Sequence, residues 1–273
     1  MPAKPPSVFL TAEWNFLAML NYEVAPEVLA PFVPAGTELD VWQGKHLVSL
    51  VGFLFQKTRV RGIPIPFHRN FEEVNLRFYV RRKVDGEWRR GVVFIKELVP
   101  RFAIAWVART FYNENYAALR MSHDIEKAAD ASENIKSVRY GWRFGGEENF
   151  LKLSVRGRPV PLREGTEEEF ITEHYWGYAA QRDGSTVEYH VDQPTLARLG
   201  NCGRGAALRC GRPVWRTIWQ LPGAARLRFS GRGFGGESFH RHPPRVSIHS
   251  ARTVSGPPRP LPSCPAPPTC CVP

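Results

Sequence analysis

The chain has 273 residues, 23% of them charged, and a formal net charge of +11. That length suffices for one large domain or two small ones with a sizeable core. No run of about 18 apolar residues occurs, which excludes a transmembrane helix, and the opening MPAKPPSVFLTAEW lacks the apolar centre of a secretory signal, so a cytoplasmic location is expected.

In chain order, residues 12–24 are largely apolar and could be helix or strand; they run into Pro26, which disfavours helix just before it, and a strand is predicted over 16–24. Residues 26–32 read as a short helix with proline in its first turn, stopped by Pro34 and Gly36. Strands follow at 38–42 and 46–58 around a Gln43-Gly44 turn, the second so apolar that both its faces should be buried. The prolines of GIPIPF, residues 62–67, exclude a central strand and imply an extended loop. Asp85-Gly86 marks a hairpin joining 74–83 to 88–98, which Pro100 ends. Residues 102–111 are Ala-rich and unbroken and predict a helix; 112–118 reads as a turn and bend. Strands are expected at 135–142 and 150–155. Thr166 and Glu169 form a capping box opening a helix to about Trp176. Asp183-Gly184 turns into a last patterned strand at 186–191. Together these describe an α+β chain, mostly antiparallel β with a few short helices and no linker before residue 194.

The most informative stretch is FHRNFEEVNLRFYVRRK, residues 67–83. From Glu73 it alternates strictly: Val74, Leu76, Phe78 and Val80 fall on one face, and Glu73, Asn75, Arg77, Tyr79 and Arg81 on the other. That polar face sets an acid, an amide, a guanidinium and a phenol at successive positions, each with directional hydrogen-bonding capacity. It reads either as a solvated face laced with ion pairs or as the wall of a polar pocket inside a curled sheet.

Beyond Pro194 the composition changes. Residues 1–194 hold 25 Lys plus Arg against 25 Asp plus Glu, so the net charge resides in 195–273, which carries 12 Arg, no Lys and one acid, Glu237. All five cysteines and 12 of the 24 prolines lie there too. No sustained periodicity accompanies them, and a low-complexity basic tail without regular structure is expected. A basic RNA-binding arm would repeat RGG or RS units, and GRG occurs only twice. A cysteine metal or disulfide module would show CxxC, and none occurs. The favoured reading is a misread frame of a GC-rich gene: synonymous codons for residues 220–237, read one nucleotide later, yield NFLAPPDSAFQAEGSEV, with acids restored and the pattern of a helix end, a Pro turn and a strand. Nucleic-acid binding rests wholly on this tail and is not favoured.

The body, from about Phe9 to Pro194, resembles the YqjF-like family of bacterial domains of unknown function (domain of unknown function 2071). The resemblance rests on LAMLNYEV (17–24), PAGTEL (34–39), VSLVGF (48–53), NFEEVNLRFYV (70–80), RGVVFIKE (90–97) and YWGY (175–178). In that family the chain continues past the last strand much as the shifted-frame peptide does. The family is similar in fold to acetoacetate decarboxylases, which implies a β-barrel or double sheet around a polar pocket. By that resemblance Glu73 matches a pocket carboxylate, Asn15 stands where a decarboxylase pocket Arg would be, and the Schiff-base Lys should fall in the segment 109–118, RTFYNENYAA, which has no Lys. A Schiff base needs an amine, so decarboxylation by that route is not expected.

Other candidates are weaker. Lys96, next to Glu97, faces outward if Glu97 faces inward. His68 has the titration range of a general base but no partner that would orient it. No metal-ligand spacing occurs, and neither a metal nor a cofactor is expected. Two function classes remain: small-molecule binding, of an anionic or carbonyl compound, in a pocket lined by Glu73, Asn75, Arg77 and Tyr79 with His68 near it; or a non-catalytic structural or interaction module whose polar face is a buried network. Fold analogy alone does not choose between them.

Overall fold

The structure is a computed structural model, and it describes residues 8–101, 115–127, 135–154, 159–160, 162–192, 198–199, 234–239, 245–249 and 252–254. The helix expected over 102–111 lies outside the described residues. Strand β1 (Val8–Val24) leads into helix α1 (Pro26–Leu29), with Pro26 in its first turn, and a 3-10 turn at Ala30–Phe32. Then come β2 (Glu38–Leu39), β3 (His46–Val60), β4 (Ile63–Pro64), β5 (Phe71–Val84) and β6 (Glu87–Val99). The β5–β6 hairpin turns on Asp85 and Gly86, both at positive φ (51° and 88°), the geometry that Asp-Gly adopts most readily. Next are β7 (Tyr116–Ala118), β8 (Arg120–Lys127), β9 (Ile135–Phe144), β10 (Glu147–Ser154) and β11 (Pro159–Val160). Helix α2 (Glu167–Thr172) precedes β12 (Trp176–Ala180) and β13 (Thr186–Asp192).

Four short strands come from the segment whose composition predicts no regular structure: β14 (Arg198–Leu199), β15 (Phe234–Phe239), β16 (Arg245–His249) and β17 (Arg252–Val254). In β16, Val246 and Ile248 alternate with Arg245, Ser247 and His249, a five-residue period-two pattern too short to stand out from its surroundings. Ile248 pairs with Leu10 on one side and Val191 on the other, and it packs on the small cluster of Ala179, Val187, Tyr189 and Val191.

The strands form two sheets. In the larger, pairing runs β1–β16–β13–β12–β6–β5–β3, and the β3–β1 ladder returns the path to its start. All of these contacts are antiparallel except β6–β12. The smaller sheet, β8–β9–β10, is antiparallel. It lays Val138, Tyr140, Trp142, Leu151 and Leu153 on one face of the larger sheet, against Val74, Leu76, Phe78 and Val80 of β5. Gly52 of β3 permits this approach: a Cβ there would stand 2.5 Å from the Tyr140 ring. The other face of β5 meets a second core of Met19, Val51, Phe53, Phe71, Phe170 and Ile171.

Several boundaries differ from the sequence expectation. β2 is two residues long, because Trp42 bridges to Lys45 across the Gln43-Gly44 turn. Residues 116–118, expected as turn, form β7, parallel to the end of β6. β8, not expected, has only Met121 and Ile125 as apolar markers, too few for a period-two signal. Helix α2 starts on its cap, Glu169 N donating to Thr166 Oγ1, but stops at Thr172, since Trp176 is drawn into pairing with Gly91 of β6.

Candidate functional site

The polar face of β5 looks inward. Glu73, Asn75 and Tyr79 are only 2%, 3% and 1% exposed, and Arg77 is half-buried, so the solvated-face reading fails. Two neighbouring strands and a bulge aim these groups. Glu73 lies opposite Phe53 of β3. Asn75 lies between Val51 of β3 and Glu97 of β6, and Arg77 between Ser49 and Phe94. The β6 bulge falls between these last two pairs.

Glu73 is the centre of a three-residue group. Asn75 Nδ2 donates to its Oε1 at 3.0 Å and Tyr116 Oη, from β7, to its Oε2 at 3.2 Å. Burial raises the Glu73 pKa to about 7, although the Asn75 and Tyr116 hydrogen bonds and the Arg77 charge pull it down. Desolvation therefore wins over two hydrogen bonds and a cation. Arg77 is steered by α2: its Nη2 donates to the Ile171 carbonyl at 3.2 Å, and its guanidinium lies 5.8 Å from the Tyr79 ring centroid.

A second chain of hydrogen bonds begins at Tyr79. Its hydroxyl is 2.5 Å from Ser49 Oγ, and Ser49 in turn donates to Asn21 Oδ1 at 2.7 Å. Since Ser49 has one proton, Tyr79 is the donor of the first bond. Asn21 Nδ2 continues to Glu167 Oε1 at 3.3 Å, whose pKa burial raises.

Beside the Tyr79 ring lies His174, with centroids 4.7 Å apart. Its Nε2 is 3.1 Å from Asp40 Oδ2, to which Arg90 Nε also donates at 2.7 Å. Burial lowers the His174 pKa to about 4, against the opposing pull of Asp40. Asp40 is also desolvated, but the His174 and Arg90 bonds outweigh that and hold its pKa at about 2. The pair is thus a neutral imidazole donating to a carboxylate, which leaves Nδ1 as an acceptor. Asn75 Oδ1, Arg77 Nε and His174 Nδ1 are buried with no hydrogen-bond partner among the described residues. Such groups are few in folded proteins, and they are the capacity an interior ligand would use.

Four of the predicted residues, Glu73, Asn75, Arg77 and Tyr79, thus share one interior. His68 does not join them: it lies in the loop before β5, its Nδ1 2.8 Å from the Pro66 carbonyl oxygen. Asn15 hydrogen-bonds Gln56 at 3.0 Å and lies opposite Leu54, a residue of the other core. Lys96 lies opposite Leu76, on the far side of β6 from Glu97, as expected. It is nevertheless 6% exposed, donating to Asn115 Oδ1 at 2.6 Å. Asn21, Ser49, Asp40, His174 and Tyr116 are functional candidates that the sequence reading passed over. Ser49 is marked in the sequence as the one polar side chain of the run 47–55, and His174 as the residue before YWGY. No group of three or more His, Cys, Asp or Glu residues among those described could hold a metal ion, and no helix there is long and apolar enough to cross a membrane.

A mixed sheet that closes on itself, covered on one face by a small sheet, is the architecture of the acetoacetate decarboxylase-like fold. Solved structures bear this out. An acetoacetate decarboxylase from Legionella pneumophila superposes with TM-score 0.56 at 12% identity, over 93% of this chain and 92% of that one. An acetoacetate decarboxylase-like enzyme from Sphingomonas wittichii RW1 gives 0.57 at 11%, over 94% and 97%. The enduracididine biosynthesis enzyme MppR complexed with pyruvate gives 0.57 at 10%, over 93% and 92%. Within this fold, the chain belongs to the DUF2071 family of uncharacterized conserved proteins, whose profile matches residues 11–198. The uncharacterized protein YqjF of Bacillus subtilis strain 168 is 26% identical over 171 residues, 62% of this chain and 67% of YqjF.

Proposed function

We propose that the interior around Glu73 and Arg77 binds a small carboxylate- or carbonyl-bearing molecule, and that the chain does so without forming a Schiff base. The observation that carries this reading is the Glu73 carboxyl, buried and titrating at about 7. At that value it is an acceptor and a donor in comparable amounts near neutrality, a property that clusters at functional sites. Arg77 supplies the matching cation for an oxyanion, with Nε still unused. MppR, of the same fold, was solved with pyruvate, which has both a carboxylate and a ketone; a small keto acid is the ligand class we favour here.

The Schiff-base route is disfavoured because the segment 109–118 holds no Lys, and its Tyr116 bonds to Glu73 instead. Lys96, though buried, lies on the opposite face of β6 from Glu97. The experiment is a thermal-shift panel of pyruvate, acetoacetate and levulinate on the full chain and its Arg77→Gln variant, alongside borohydride trapping read by intact mass. A raised Tm in the wild type, its loss in Arg77→Gln and no reduced adduct are expected. No shift with any compound would favour the second reading, a structural network, which is supported by how many interior polar groups partner one another; a borohydride adduct would refute the Schiff-base statement alone.

A further inference from the structure

We propose a second site, remote from the Glu73 interior: an arginine-lined hollow on the outer face of the β8–β9–β10 sheet that takes a small dianion, a phosphate or a dicarboxylate. The pleat divides β9 cleanly. Val138, Tyr140 and Trp142 go to the core, so Arg139, Gly141 and Arg143 face away from it. Register then builds three rows across the outer face. Arg120 lies opposite Arg143, which lies opposite Glu148; Ser122, Gly141 and Phe150 form the next row; Asp124, Arg139 and Lys152 the third.

Within this surface is a cavity of about 210 Å³ lined by Arg120, Ser122, Arg139, Gly141, Arg143 and Glu148. Glycine keeps it open. A Cβ at position 141 would stand 2.8 Å from Ser122 Oγ and 3.1 Å from Arg139 Nη1. Met121, Trp142 and Asn149 also border it. They belong to the intervening row, whose side chains turn toward the core.

The charges do not cancel. Three guanidiniums and Lys152 share this face with two carboxylates, Glu148 opposite Arg143 and Asp124 opposite Arg139, and none of the three arginines forms an ion pair with a described residue. Elsewhere on the same sheet opposite charges do pair, as Lys136 does with Glu126. Arg120 and Arg143 are direct cross-strand neighbours, where like charges are destabilising. Arg139 is held in place by the Phe150 ring, 4.9 Å from its guanidinium. An unneutralised set of planar forks around a hollow matches a ligand with several oxyanion oxygens, since each guanidinium can grip two of them. The volume lies below the roughly 300–1,000 Å³ of pockets for drug-sized molecules, so the ligand is small.

The experiment is isothermal titration of the full chain at low salt with inorganic phosphate and, separately, with succinate. Saturable one-site binding of at least one probe is expected, weakened about tenfold or more in Arg139→Gln and in Arg143→Gln. Gly141→Val, which keeps every charge but fills the hollow, is expected to abolish it. Lys152→Gln, on the same face but outside the hollow, should change it by less than about twofold. The stronger probe identifies the oxyanion source. No saturable binding of either probe up to about 10 mM, retention in both arginine variants, or retention in Gly141→Val would overturn the proposal; the last would mean diffuse charge attraction only. Circular dichroism confirms that each variant is folded.

Discussion

Tyr116 donates its phenolic hydrogen to the buried carboxyl of Glu73 at 3.2 Å, and that bond ties the short parallel strand β7 to the start of β5. Tyr116 lies opposite Glu97 in the β6–β7 ladder, and Glu97 lies opposite Asn75, the other donor to Glu73. Three strands therefore converge on one ionisable group. Because Tyr116 and Asn75 both donate to it, they favour its ionised form, while its surroundings favour the neutral one. The result is a carboxyl balanced near neutrality.

That balance has a stability signature. Between the ordinary carboxylate value of 4.5 and the folded value of about 7, the folded chain keeps a proton on Glu73 that the unfolded chain has released. Stability attributable to this group is then fully present below the lower value and declines as pH rises through the window, by roughly 3 kcal/mol in total. Glu73→Gln is expected to flatten the decline and to be more stable than wild type at pH 8. Tyr116→Phe, which removes one bond to the carboxylate, should extend the decline to higher pH. Urea unfolding at several pH values measures both; an unchanged slope in Glu73→Gln would refute the assignment.

His174 gives the opposite dependence. Its folded pKa of about 4 lies below the ordinary 6.5, so unfolding takes up a proton between those values, and stability falls as the solution is acidified from pH 6.5 to 4. Asp40 adds a second loss below that, as pH drops from 3.8 through about 2. His174→Gln can still donate to Asp40 but does not titrate. It is expected to lose that fall between pH 6.5 and 4, leaving there only the opposite dependence set by Glu73, measured by thermal melts across that range, and to retain the loss below pH 4.

How much of this was legible beforehand depends on where the information lay. The inward face of β5 was readable because Glu73, Asn75, Arg77 and Tyr79 sit on one strand and alternate with apolar residues; one local pattern carried four site residues. Asp40, Ser49 and His174 come from three separate segments, and a single polar residue in each carries no mark of which face it takes. Their convergence is a product of register: the Asp40 amide donates to the Tyr79 carbonyl at 3.0 Å, and Ser49 lies opposite Arg77. Tyr116 was hidden by the shortness of β7, and the outer-face arginines by the weak alternation of β8. The closed sheet and its family were legible from motifs spread over the body. The strands after residue 194 were not, because their partners are as distant as β1.

Gly52 belongs to the VSLVGF motif, yet its role appears only in the packing. An alanine there would place a methyl carbon 2.5 Å from Tyr140 Cδ2 and 3.1 Å from Leu151 Cδ2, both in the close-packed contact between the two sheets. Tyr140 cannot retreat freely, since its hydroxyl donates to the Phe16 carbonyl at 2.7 Å. Gly52→Ala is expected to cost about 1–3 kcal/mol, read as a lowered urea midpoint. A double variant with Tyr140→Leu, which removes the obstructing ring atoms, should recover part of the added cost; strict additivity of the two changes would show that the clash is not its source.

Glu188 of β13 marks a different use of buried charge. Its side chain is 0% exposed and accepts from Arg82 at 3.0 Å and from Arg89 at 2.9 Å, so one carboxylate serves two guanidiniums that are themselves 18% and 25% exposed. Arg82 belongs to β5 and Arg89 to β6, so the carboxylate pins the β5–β6 hairpin to β13, across the parallel β6–β12 contact where the ladder is only two residue pairs long. Removing the charge while keeping the shape leaves both cations without their counter-ion. Glu188→Gln is expected to destabilise the fold by about 3 kcal/mol, the lower end for breaking a buried pair, because the arginines retain access to water. Replacing all three together, Glu188→Leu with Arg82→Met and Arg89→Met, should cost less than the single change, since no buried charge is then left over. Equilibrium unfolding of the two variants decides the matter: a triple variant less stable than Glu188→Gln would mean that the ion triad itself, and not the avoidance of a stranded charge, holds the hairpin to β13.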